Sequence, residues 1–246
     1  MPTVYLSPSL QEFNQYVNGG NEEQMMNLSV DAMIPYLRAS GIQYVRNSTE
    51  QSLLEAIAQS NAGNYDLHVA IHSNASPESL SGQLQGTDVY YRPGNWSSKR
   101  FADILVRNFK QIYPNPQMVQ ALPTSSLAEV RRTTAPAVLI EVAYHDNWQD
   151  AQWIKDNIDA IARTIVRSMT EYFGIPFVEP QPERVGIVQT GGPNLNIRNR
   201  PNTGAAVIGR IPDGAQITVY SDIGEWDVVG YGGVVGFAYN RYINLQ

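Results

Sequence analysis

Residues 176–182, Pro-Phe-Val-Glu-Pro-Gln-Pro, divide the chain into two halves that cannot share one architecture. Three prolines in seven residues remove backbone donors and fix φ, so this stretch reads as a stiff, extended linker. Before it, short apolar runs alternate with segments of helical periodicity. After it, helical periodicity disappears and only short β runs separated by Gly, Pro and Asn turns remain. The reading is therefore an α/β domain over 1–175, a linker over 176–183 and a small all-β barrel over 184–246.

In the first half, the runs at 3–6, 42–45, 66–74, 87–92 and 137–142 read as strands. Met26, Val30, Met33, Ile34 and Leu37 mark one helix, with Pro35 predicting a kink or an early end. Leu53 to Ala58 mark a second helix, Phe101 to Ile112 a third, and Ile154 to Met169 one long last helix. Strands alternating with helices predict a mostly parallel sheet with helices on both faces. Residues 115–135 show no clear period and read as a loop facing a substrate. In the second half, β runs are expected at 185–188, 195–198, 206–211, 216–220, 225–229 and 234–238.

Composition limits the function classes. The chain of 246 residues is 43% hydrophobic and 16% charged, as a soluble globular protein is. No run reaches the ~20 apolar residues of a membrane-spanning helix, and Met1-Pro-Thr-Val-Tyr-Leu-Ser has no signal-peptide character. A net charge of −6 disfavours a nucleic-acid partner. The absence of cysteine excludes disulfides, thiolate catalysis and cysteine metal sites. Nothing in the sequence fixes the oligomeric state.

Histidine is scarce, with three in the chain, and its placement is informative. His68 and His72 lie on one face of the strand Asp66–Asn74, which ends at the polar pair Ser73-Asn74. His145 follows a second apolar strand that carries Glu141. Ligands of open α/β sheets collect at the carboxyl ends of strands, so His72, Asn74, Glu141 and His145 form a candidate site. By strand rise, His68 stands roughly 13 Å along the strand from His72, too far to share a metal with it, and reads as structural.

Three stretches carry a family resemblance: Gly20-Asn-Glu-Glu23-Gln, Ala70-Ile-His-Ser-Asn74, and Arg131 followed by Pro136-Ala-Val-Leu-Ile-Glu-Val-Ala-Tyr144. With these, residues 1–175 resemble the zinc-dependent N-acetylmuramoyl-L-alanine amidases of the amidase_3 type. The second half resembles a bacterial SH3 domain through Leu195-Asn-Ile-Arg198-Asn-Arg-Pro201, Ile208-Gly, Gly214, Trp226, Gly233, Gly236-Phe-Ala and Tyr242-Ile. The resemblance implies a peptidoglycan hydrolase acting at the bacterial cell wall. It would cleave the amide between N-acetylmuramic acid and L-alanine with zinc-activated water.

Zinc, on this resemblance, is held by Glu23 and His72, with Glu22 a rival for the first position, and Glu141 is the catalytic carboxylate. Asn74, Arg131 and His145 would face the substrate, His145 being also a possible ligand. The family's first ligand, the histidine of an Asp-Pro-Gly-His strand end, is absent. The chain reads Ser7-Pro8-Ser9-Leu10-Gln11 there, which leaves Gln11, and less readily Asn14, as the stand-in. The alternative function is a catalytically silent wall-binding protein on the same fold. In the barrel, Tyr220, Trp226, Tyr231 and Tyr239 either line a peptide groove or fill the core.

Overall fold

A computed structural model describes residues 1–246. The first half contains β1 (Thr3–Pro8), α1 (Glu22–Ala39), β2 (Gln43–Arg46), α2 (Leu53–Ala62), β3 (Leu67–Asn74) and β4 (Thr87–Tyr91). It continues with α3 (Trp96–Phe109), β5 (Val119–Pro123), α4 (Ala128–Arg132), β6 (Ala137–Tyr144), α5 (Trp148–Asp156) and α6 (Ile158–Phe173). The six strands make one sheet in the order β2-β1-β3-β6-β4-β5. β1 with β3, β3 with β6, and β4 with β5 run parallel, while β4 opposes β6. The α/β reading with a mostly parallel sheet therefore holds.

β3 is buried at every position except Asn74, so both of its faces are covered, and His68, His72 and Ser73 are buried along with its apolar residues. On one face Ala70 packs with Val130 and Leu139. Local signals set the helix starts: Ser52 and Glu55 form a reciprocal capping box on α2, and the Asn95 and Asn147 side chains cap α3 and α5.

Three expectations need correction. Residues 115–135 contain the edge strand β5, which ends on Pro123, and the short helix α4; at five residues each, both are too brief to show a period. The long last helix is two helices, interrupted at Asn157, whose backbone leaves helical geometry. Of the kink or early end expected at Pro35, the early end does not occur, since α1 continues to Ala39.

The second half contains β7 (Arg184–Val188), β8 (Leu195–Arg198), β9 (Val207–Ile211), β10 (Gln216–Ile223), β11 (Trp226–Tyr231), β12 (Val234–Tyr239) and β13 (Ile243–Leu245). Its sheet order is β13-β7-β10-β11-β12-β8-β9, and all its pairings are antiparallel. Val188, Leu195, Ile197, Ile211, Ile217, Val219, Val229 and Ala238 share one core, so strands β7 to β12 must roll around it. The chain divides into two compact units: Thr3–Met33 with Tyr44–Tyr172, and Met1–Pro2 with Ile34–Gln43 and Phe173–Gln246.

Candidate active site

His72, Glu141 and Asp88 occupy one rung across three adjacent strands. His72 of β3 is register partner of Glu141 on β6, which in turn faces Asp88 on β4. The rung lies near the carboxyl end of β3, beside a groove of about 420 Å³. Leu10, Phe13, Leu53, Leu127 and Leu139 give the groove apolar walls, and Gln11, His72, Glu129 and Glu141 supply its polar groups.

α1 brings the first carboxylate. Its buried face, Met26, Val30, Met33 and Leu37, extends back by one helical step to Glu22, which is 1% exposed. Glu22 Oε1 lies 2.9 Å from His72 Nδ1, and Glu22 Oε2 accepts from Asn14 Nδ2 at 2.6 Å. Glu23 falls on the outer face, where its electrostatic neighbours are Glu12 and Glu50. The placement expected for Glu23 is thus filled by Glu22.

Gln11 completes a triangle. Its amide nitrogen is 3.2 Å from His72 Nδ1 and 3.5 Å from Glu22 Oε1, while its oxygen accepts from Asn14. Ligand atoms around a tetrahedral ion with bonds of about 2.05 Å stand about 3.3 Å apart, close to these three edges. A half-turn of the Gln11 amide exchanges its nitrogen for oxygen. The donor set is then one imidazole, one carboxylate and one neutral amide. No group of three His, Cys, Asp or Glu side chains able to hold a metal is present, so an ion here depends on the amide as its weakest ligand.

Glu129, on α4, was not singled out from the sequence. It is 3% exposed and bridges two histidines, with Oε1 3.1 Å from His68 Nε2 and Oε2 3.2 Å from His72 Nε2. Burial opposes ionisation of Glu129, but hydrogen bonds from His68 and His72 and their charge overcome it and hold the carboxyl well below its usual range. Glu22 is likewise lowered, as bonds and charge from His72, with Asn14 and Ser9, outweigh burial. His72 is raised well above the usual imidazole value, because its two carboxylate partners overcome desolvation.

Glu141 differs. It is partly open to the groove, yet its Oε2 is sealed from water with no hydrogen-bond partner. Burial pushes its carboxyl up from 4.5 to about 7; the charge of His72 opposes this and the charges of Glu22, Asp88 and Glu129 reinforce it. A carboxyl balanced near neutrality and directed at a cleft can both accept and return a proton.

The other expected residues lie away from the groove walls. His145 is buried, stacked on Tyr16 at 5.4 Å, and its Nδ1 bonds to Ser73 O at 2.9 Å. Asn74 bonds to Asp88 at 3.5 Å and caps its own turn through Ala75 N. Arg131 is exposed on α4 and does not line the groove. In the second unit, Trp226, Tyr239 and Tyr242 line a cleft of about 400 Å³ with Arg198. Tyr220 packs against the cluster of Trp226, Val228 and Phe237, and Tyr231 against the main core.

Comparison with known proteins bears on the fold and the family. Solved structures similar to the chain include the N-acetylmuramoyl-L-alanine amidase AmiC2 of Nostoc punctiforme, with 17% identity and a TM-score of 0.61 over 70% of this chain and 97% of that one. Another is the N-acetylmuramoyl-L-alanine amidase of Clostridium difficile 630, with 19% identity and a TM-score of 0.62 over 70% and 97%. A third is the catalytic domain of CwlV from Bacillus (Paenibacillus) polymyxa var. colistinus, with 20% identity and a TM-score of 0.60 over 72% and 100%. At these identities the likeness establishes the fold. No curated protein matches. Residues 193–244 match the model of a bacterial SH3 domain, and residues 11–171 match that of an N-acetylmuramoyl-L-alanine amidase. The chain belongs to the N-acetylmuramoyl-L-alanine amidase family of peptidoglycan hydrolases.

Proposed function

We propose that this chain hydrolyses the amide joining N-acetylmuramic acid to L-alanine, with Glu141 as acid and base and with zinc held by Glu22, His72 and Gln11. The observation that carries the reading is Glu141 itself. A half-ionised carboxyl beside His72, lining a groove while its second oxygen is buried and unpartnered, has no packing purpose that would offset its burial. The near-tetrahedral spacing of the donor triangle supports the metal.

When bound, zinc supplies Lewis-acid activation of water and of the scissile carbonyl. The chain's own groups do the rest. The Glu141 carboxylate takes a proton from the attacking water and, now neutral, gives it to the alanine nitrogen as the C–N bond breaks. Glu129 holds the far side of the His72 ring. Leu10, Phe13, Leu53 and Leu127 flank the substrate and thin the water around the reacting carbonyl. The aromatic cleft of the SH3 domain would keep the enzyme on wall peptide at the bacterial cell wall.

The test is release of new amino groups from purified peptidoglycan, measured with metal analysis of the same sample. Stoichiometric zinc, release of amino groups and loss of release in Glu141→Ala support the reading. Zinc-free protein that binds peptidoglycan without releasing amino groups would overturn it in favour of a silent wall binder.

A further inference from the structure

The mechanism above uses one nitrogen of His72. The other is engaged by a construction that hydrolysis alone does not explain. Glu129 rides on a helix of five residues and is buried between two imidazoles. His68, fully buried, occupies the second oxygen of that carboxylate. The His68 ring is itself fixed, with Nδ1 2.9 Å from Ser60 Oγ and one face stacked on Tyr5 at 5.2 Å and 13°. Tyr5 is tied in turn by its hydroxyl to Gln59 Oε1 at 2.7 Å. On α4, the carbonyl of Glu129 accepts from Thr133 Oγ1 at 2.6 Å.

An imidazole in a groove wall can rotate and can carry its hydrogen on either nitrogen. A carboxylate behind one nitrogen removes that freedom and makes the opposite nitrogen a stronger donor. That matters most where the remaining ligands are weak, and here one of three is a neutral amide. Held at Oε1 by His68, the Glu129 carboxylate cannot swing, so Oε2 stays against His72 Nε2. Nδ1 then faces Gln11 and Glu22, 3.2 and 2.9 Å away, where it donates to the Glu22 carboxylate without metal and would give up that hydrogen to bind an ion.

We propose that Glu129, locked by His68, is a positioning residue that fixes the His72 ring with its Nε2 hydrogen turned inward and Nδ1 presented to the metal position. This rests on His72 being a metal ligand, but the ring geometry can be read without any metal.

The experiment uses the full chain as wild type, Glu129→Leu, Glu129→Gln and His68→Phe. Long-range proton–nitrogen correlation of the histidine rings is recorded metal-free and with zinc, and zinc affinity is measured by chelator competition. In wild type, the His72 Nε2 hydrogen is expected to be held in a hydrogen bond in both states, with zinc shifting Nδ1. Glu129→Leu is expected to lose that hydrogen signal and to weaken zinc by about 10- to 100-fold. Glu129→Gln, whose amide oxygen still accepts, is expected to keep the signal and recover part of the affinity. His68→Phe, which preserves stacking on Tyr5 but frees Oε1, is expected to fall between them.

If Glu129→Leu does not fold by thermal melting, the order of Glu129→Gln and His68→Phe decides. A folded Glu129→Leu with wild-type zinc affinity and an unchanged His72 signal would overturn the proposal, as would full affinity in both other variants. Wild-type protein that takes no zinc, while Glu129→Leu still loses the Nε2 signal, would overturn the metal reading and leave the positioning role standing.

Discussion

Replacing Glu141 by glutamine separates the energetic strain of this carboxyl from its chemistry. Its folded-state value, about 7, lies above the ordinary 4.5, so folding favours the protonated form. The corresponding stabilisation is complete below pH 4.5 and is lost as the pH rises through 7. The difference between the two values corresponds to about 3 kcal/mol, and groove water reaching the open side of the side chain brings it nearer ~2 kcal/mol.

Glutamine cannot ionise. Glu141→Gln is therefore expected to match wild type at pH 4.5 and to exceed it by about 2–3 kcal/mol at pH 8. Between these limits Glu22 and Glu129, both lowered, stay ionised, and His72, raised well above its usual value, stays charged. The change with pH is thus assigned to Glu141. Urea unfolding in the presence of a chelator, repeated from pH 4.5 to 8 on both proteins, measures it. A stability difference that stays flat across that range, or one in which wild type gains on the variant as pH rises, would refute the reasoning.

Three further expectations concern the walls and supports of the site. Glu22→Gln leaves His72 Nδ1 without its charged partner and is expected to lower amide hydrolysis at least about 100-fold, whereas Glu23→Gln stays within about twofold; equal losses in the two would sink the assignment of Glu22. Phe13 is 72% exposed on the groove wall, so Phe13→Ala should raise KM about fivefold, near 1 kcal/mol of lost contact, without moving Tm. Gly86 has φ 118° and an added Cβ would stand 2.3 Å from Met118 O, so Gly86→Ala should destabilise by at least about 2 kcal/mol in urea titration.

How far the sequence reached follows from what kind of signal each residue leaves. Long periodic elements were readable: α1, α3 and β3 announce themselves by spacing and by the end of their apolar runs. His72, Gln11 and Glu141 stand close to strand ends or turns where chemistry was expected, and the structure brings them to one groove. The choice between Glu22 and Glu23 is not legible in the sequence, because the two flank the apolar stripe of 26, 30, 33 and 37 equally at helical spacing, and only the structure buries Glu22 beside His72. Glu129 left almost no trace. A single acid in Leu-Ala-Glu-Val-Arg becomes meaningful only when folding places it between His68 and His72, sixty-one and fifty-seven residues away. His145 misled for the opposite reason: scarcity suggested chemistry, but its ring is spent on the Ser73 backbone and Tyr16.

The rung of His72, Glu141 and Asp88 has a consequence for when activity can begin. β3 and β6 are distant in sequence, and their pairing must wait for closure of the long loop between them. A slip of one residue would turn Glu141 to the opposite face of the sheet. Chains still emerging from the ribosome lack Glu141 until most of the catalytic domain has been made, and misregistered chains never place it. With Glu141 in its proposed role of acid and base, hydrolytic competence is expected to arrive late, and specific activity in a preparation would count the molecules whose central strands have found their register.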